Sequence, residues 1–133
     1  MWTNRYVGIA FKHDGRSIDG CDCWGLVRIV YHQELGIELP EYAGTLTDNS
    51  IGALRRAVKA VDKESAKWIR VQEPKAFDVT VLRLRSLNCH VGVVIDHKHM
   101  LHIEEGINAS IESYQSLMWR NRIACYFRHR QLA

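Results

Sequence analysis

The segment from 23 to 35 places the tightest limit on how this chain can fold. Leu26, Val27, Ile29, Val30, Tyr31 and Leu35 recur at helical spacing and give it a broad apolar surface, while Arg28 and His32 share a polar stripe at i, i+4. Asp22 stands where an N-cap would satisfy the free N–H groups of a helix start. Gly36 stands where helices commonly end in a left-handed residue. A helix this apolar needs cover on more than one side, so the remaining chain has to wrap it.

The pattern of the remaining chain supplies that cover. Residues 13–20 read as a polar, glycine-containing loop, and residues 39–42 as an extended exit from the helix. A second, amphipathic helix is expected over 50–62, with Ile51, Leu54, Val58 and Val61 on one face. After Pro74 the character changes. Residues 77–85, 90–96, 100–104 and 122–128 are short runs rich in Val, Ile, Leu and aromatics, the mark of antiparallel strands. Helices first and a β-meander after them predict an α+β domain, with the helices packed on one sheet. The 133 residues hold 47% apolar and 25% charged side chains, which suits a single domain over 1–133 with its own core.

Composition excludes some roles. The net charge of +3 is spread over scattered Lys and Arg residues, so charge selects no partner and no nucleic acid is expected. No stretch approaches the roughly 18–20 apolar residues needed to span a membrane. Met1-Trp2-Thr3-Asn4-Arg5-Tyr6 lacks the charged-then-apolar pattern of a secretory signal, so synthesis in a cytoplasm is expected. The four cysteines (Cys21, Cys23, Cys89 and Cys125) read as thiols rather than as a disulfide framework. A zinc site from Cys21, Cys23, Cys89 and His90 is conceivable, but C-x-C beside a lone C-H pair is not a common ligand spacing. No metal or other cofactor is therefore expected.

With Asp22 as N-cap, Cys23 takes the first helical position. There its sulfur lies beside unsatisfied N–H groups and the positive end of the helix dipole, which favour a thiolate. Gly25 would leave room for a substrate to approach. The competing reading is a small buried apolar residue. Two histidines weigh against that. His90 opens the run His90-Val91-Gly92-Val93-Val94-Ile95, and His102 lies in the next run. A hairpin centred on Asp96 would pair them directly on one face, with Cβ atoms roughly 5 Å apart. A thiol at a helix start with two adjacent imidazoles provides nucleophile, base and orienting group.

Gly20-Cys21-Asp22-Cys23-Trp24-Gly25-Leu26-Val27 resembles the nucleophile motif of the NlpC/P60 peptidoglycan peptidases, G-[FC]-D-C-[SW]-G-L-V. Other pieces follow in the family's order. Phe77-Asp78-Val79-Thr80-Val81-Leu82, preceded by Pro74, is similar to its P-G-D-L-V-L-F strand. His90 to Ile95 is similar to its H-V-G-I-Y-I strand, and Met100-Leu101-His102 to its F-I-H strand. Trp24, Tyr31 and the exit through Pro40 and Tyr42 look most like the subgroup encoded among bacteriophage tail genes.

The resemblance implies a papain-like fold, with Cys23 as nucleophile, His90 as general base and acid, and His102 orienting His90. Phe11, Asp22 and Trp24 flank the nucleophile and are taken as the substrate side of the site, Asp22 also capping the helix. For the two aromatics the alternative is packing. Phe11 stands where family members often carry a tyrosine. The implied activity is cleavage of peptidoglycan stem peptides, often between D-glutamate and the diamino acid, with phage tail-tip proteins as partners and the virion tail as location. Two other readings compete: a tail-tip or tail-assembly component with little or no activity, and acyl transfer on the same fold.

Overall fold

The structure, a computed structural model, describes residues 1–13, 15–40, 67–84 and 88–133, with the backbone alone at 84, 88 and 89. The helix expected over 50–62 lies outside the described residues, as does the side chain of Cys89.

The chain opens with a 3-10 turn, Trp2–Arg5, followed by a two-strand ribbon of β1 (Arg16–Ser17) and β2 (Gly20–Cys21). The α-helix α1 runs Cys23–Val30 and widens into a π-helical turn over Tyr31–Leu35. Gly36 closes it with a left-handed backbone at φ +67°, as its position after Leu35 suggests. Six strands then follow: β3 (Trp68–Val71), β4 (Val79–Leu84), β5 (Asn88–Val94), β6 (His99–Glu104), β7 (Ile107–Ser113) and β8 (Ile123–His129). They form one antiparallel sheet in the order β3-β8-β4-β5-β6-β7, in which β4 to β7 are a meander and β8 returns between β3 and β4. The fold is α+β.

Alternation along the strands divides the sheet into two buried faces. Val79, Val81, Val91, Val93, Leu101 and Ile103 form one cluster with Trp24, Leu26, Val27 and Val30 of α1. Fully burying a side chain of this size contributes about 1.5–3 kcal/mol. An α-helix of this length is not stable alone in water, so packing on the sheet holds it rather than propensity. Leu82, Val94, Met100, Tyr114 and Trp119 cover the other face.

Two strands lie outside the four apolar runs anticipated from the sequence. β7 alternates Ile107, Ala109 and Ile111 with polar residues, but Ile107 and Ile111 stay exposed because β7 ends the sheet. Its outer side is partly satisfied by the N-terminal segment, where Gly8 N–H donates to Ala109 O and Ala109 N–H to Ile9 O, both at 2.8 Å. β3, at the opposite edge, buries only Trp68. Edge strands carry weak hydrophobic signals because only one side is paired.

Candidate active site

Cys23 occupies the first position of α1 and is half-buried against the core. Asp22 has the extended backbone of an N-cap, and its Oδ1 accepts the Gly25 N–H at 2.7 Å. The same oxygen accepts Nη1 of Arg16 at 2.7 Å. The Asp22 carboxylate is thus tied down on the ribbon side of the helix start, and capping of this kind is typically worth about 1 kcal/mol.

Gly25 does a different job from the one its sequence position suggests. It is buried, and a Cβ placed on it would lie 2.3 Å from the Gly15 carbonyl oxygen and 3.1 Å from both Asp22 Oδ1 and Cys21 Cβ. The space there is filled by the loop backbone and is not open to a substrate. Close approach of loop and helix is what requires glycine.

The flanking residues separate in the same way. Cys21 is fully buried, and its thiol is pushed up to about 12 by burial first and then by the charges of Asp22 and Cys23. Trp24 is 1% exposed and its indole N–H donates to the Pro40 carbonyl at 2.9 Å, a place in the core rather than on a groove wall. Phe11 is half-buried, bridged to Cys21 through the backbone and edge-on to His13 at 5.1 Å.

On the sheet, His90 and His102 meet directly: His90 Nε2 and His102 Nδ1 are 2.8 Å apart, with the rings edge-to-face. The register differs from direct pairing. Gly92, not His90, stands opposite His102. The turn is responsible. Asp96 opens it, accepting the N–H groups of Lys98 at 2.9 Å and His99 at 2.7 Å, and Ile95 N–H donates to His99 O. The hairpin therefore centres on His97. Moving the centre by one residue shifts the register by two, which keeps the histidines on one face but makes them diagonal neighbours. A Cβ at Gly92 would fall 3.3 Å from His102 Cβ, so the absent side chain is what lets His102 lean toward His90.

Burial governs the state of this pair. His90 is 3% exposed and His102 1%. Burial first, and then the neighbouring His102, hold the His90 imidazole well below its ordinary pKa of 6.5, so its resting form is neutral.

Two residues with no motif signal complete the cluster. His102 Nε2 contacts Glu112 Oε2 on β7, and the same oxygen accepts the Trp119 indole N–H at 3.1 Å. Trp119 also stacks on His90, with centroids 5.7 Å apart and planes 23° from parallel. The alternation of β7 signals a strand there but not the strand it pairs with, and so not the role of Glu112. For Trp119, which lies in a turn before β8, the sequence carries no signal.

His90 meets His102, and His102 meets Glu112. Cys23 is carried on α1, which packs against β5 and β6, the strands of both histidines. His90 stands opposite Leu82 of β4 and lies against the Trp119 ring. Among the described residues, no group of three or more His, Cys, Asp or Glu side chains is placed to hold a metal ion, and no helix is long and apolar enough to cross a membrane.

Comparison with known proteins bears on the same segments. The sequence profile of the NlpC/P60 family matches residues 8–128, a span that holds α1, the ribbon and nearly all of the sheet. The chain belongs to the NlpC/P60 family. It is 24% identical over 117 residues to the murein DD-endopeptidase MepS/murein LD-carboxypeptidase of Escherichia coli K12, a match covering 88% of this chain and 54% of that protein. It is 25% identical over 116 residues to a probable endopeptidase NlpC homolog of Haemophilus influenzae, covering 87% and 53%. The chain thus spans about half the length of the curated relatives it matches. Among solved structures, the NlpC/p60 domain of the peptidoglycan hydrolase SagA superposes with a TM-score of 0.64 at 21% identity, covering 96% of this chain and 92% of that one. An NlpC/P60 family protein from Bacillus cereus gives a TM-score of 0.66 at 17% identity, covering 93% and 36%. Both show the NlpC/P60 fold.

Proposed function

We propose that this chain is a cysteine endopeptidase of a bacteriophage tail tip that cuts peptidoglycan stem peptides, the bond between D-glutamate and the diamino acid being the expected one. The observation that carries this reading is the buried, hydrogen-bonded His90–His102 pair on strands packed against the helix that begins at Cys23. The names of the relatives, a murein endopeptidase and a peptidoglycan hydrolase, support the substrate class. Trp24, Tyr31 and the exit through Pro40 support the tail-associated branch.

In this reaction His90 takes the Cys23 thiol proton while the sulfur attacks the scissile carbonyl, with the Cys23 N–H as an oxyanion donor. Collapse of the tetrahedral adduct breaks the C–N bond, and His90 returns the proton to the leaving amine. His90 then draws a proton from water, which attacks the thioester and frees Cys23. His90 Nε2 is engaged by His102, so Nδ1 is the nitrogen left for the thiol.

Purified protein incubated with stem peptides and followed by mass spectrometry is expected to yield two fragments. Cys23→Ala and His90→Ala are expected to yield none. Cleavage by the Cys23→Ala protein would overturn the mechanism. A second reading, a structural tail component of the same fold, is favoured by the Trp119 cover over His90 and by Phe11, which has no hydroxyl. It predicts no cleavage by the wild type and no effect of Cys23→Ala beyond stability.

A further inference from the structure

We infer that Glu112 is a positioning residue that sets which nitrogen of His102, and through it which nitrogen of His90, carries the proton. The inference rests on the reading of His90 as the base for Cys23, but its central claim can be tested without that reaction. The geometry is a diagonal run across three strands. Gly92 stands opposite His102 and Ser110 opposite His102 on the other side. His90 lies two residues before Gly92, and Glu112 two after Ser110. All three functional side chains therefore share one face, each within reach of the next.

With both rings neutral, the chemistry along this run leaves one self-consistent arrangement. A carboxylate can only accept hydrogen bonds. Glu112 Oε2 contacts His102 Nε2, so that nitrogen must carry a hydrogen. In a neutral ring His102 Nδ1 is then bare and must accept from His90 Nε2, 2.8 Å away. His90, neutral at rest, is left with a bare Nδ1. Without the carboxylate both tautomers of His102 become available, and one of them turns an N–H toward His90. In that state His90 Nε2 would accept and its proton would sit on Nδ1, where it cannot act as a base. When His90 does take up a proton, the negative charge of Glu112 also lies at the end of the run to offset it.

Trp119 ties the assembly together from the side. Its indole N–H holds Glu112 Oε2 at 3.1 Å while its ring lies over His90, so one buried residue orients the carboxylate and excludes water from the imidazole. Only Glu112 supplies the acceptor that fixes the protons. Its side chain is 41% exposed on an edge strand, so its removal leaves the core packing in place.

The test is 15N NMR of the histidine rings in the full chain, comparing wild type, Glu112→Ala and Trp119→Phe at neutral pH. Both His90 and His102 are expected as Nε2–H tautomers in the wild type. Glu112→Ala is expected to turn His102 into a mixture, with His90 following, while Trp119→Phe keeps both rings as in the wild type. Alkylation of Cys23 is then expected to slow in Glu112→Ala by about 10–100-fold, less than the loss seen when an orienting carboxylate touches the base directly. Unchanged tautomers in a folded Glu112→Ala protein would overturn the inference. A tautomer change with unaltered Cys23 alkylation would instead support the role of Glu112 and overturn the pairing of His90 with Cys23.

Discussion

At the scale of single residues, Phe77 shows a local rule giving way to its surroundings. Its φ of +70° is the only positive value at a non-glycine among the described residues, and it directly precedes Asp78, where the similar P-G-D motif has glycine. A side chain in this region costs about 1–2 kcal/mol. The conformation persists because several contacts impose it. The Phe77 carbonyl accepts the Tyr31 hydroxyl, its N–H donates to Val94 O at 2.8 Å, and its ring stacks on Trp2 at 4.7 Å. Phe77→Ala and Phe77→Gly both forfeit the stacking, but only glycine relieves the backbone. The glycine variant is therefore expected to be the more stable of the two by about 1 kcal/mol in urea denaturation. The reverse order would show that the turn relaxes once the ring is gone.

At the scale of elements, the junction of the ribbon with α1 is closed by backbone rather than by side chains. Gly25 meets the Gly15 carbonyl so closely that any Cβ would clash with an atom that cannot turn aside. Gly25→Ala is expected to cost about 3 kcal/mol, at the upper end of what overpacking does, and to displace the helix start with Cys23. Thermal denaturation gives the first quantity and a changed rate of Cys23 alkylation the second. The motif that reads as a nucleophile signature is thus also a packing signature. Gly92 plays the equivalent part between β5 and β6, where the missing side chain admits the His102 ring.

At the scale of the whole molecule, two buried polar groups set how stability responds to mutation and pH. Asp78, fully buried at the head of β4, takes a two-pronged bond from Arg128 on β8 at 2.9 and 2.8 Å, and the Lys75 N–H at 2.7 Å. Arg128→Ala strands that carboxylate and is expected to cost about 3–5 kcal/mol in denaturant titration. A double replacement of both partners by apolar residues of like size is expected to cost much less.

His90 acts through protons. Its folded-state pKa lies well below 6.5, so below that pH the unfolded chain binds a proton that the folded chain refuses. Stability is then complete above pH 6.5 and falls as the pH drops, by at most about 1.4 kcal/mol per unit from this group. Urea midpoints between pH 7 and 5 are expected to decline in the wild type and to flatten in His90→Gln. Equal slopes in the two proteins would place the effect elsewhere.

Much of this arrangement is local and was legible in the chain. A capped apolar helix follows from Asp22, the i, i+3, i+4 pattern and Gly36, because caps and helical spacing act within a few residues. That His90 and His102 share a face follows from the two-residue period of a strand together with a turn holding an odd number of residues, as it does here. The family motifs lie in the same short segments. The register itself was not legible, because it depends on whether Asp96 opens or centres its turn, a choice made by hydrogen bonds to Lys98 and His99. Nor was the use of Glu112 and Trp119, whose meeting with the histidines needs β7 paired to β6 and the turn before β8 folded over β5. Those contacts join residues distant in sequence, and only the packed sheet brings them within hydrogen-bond reach.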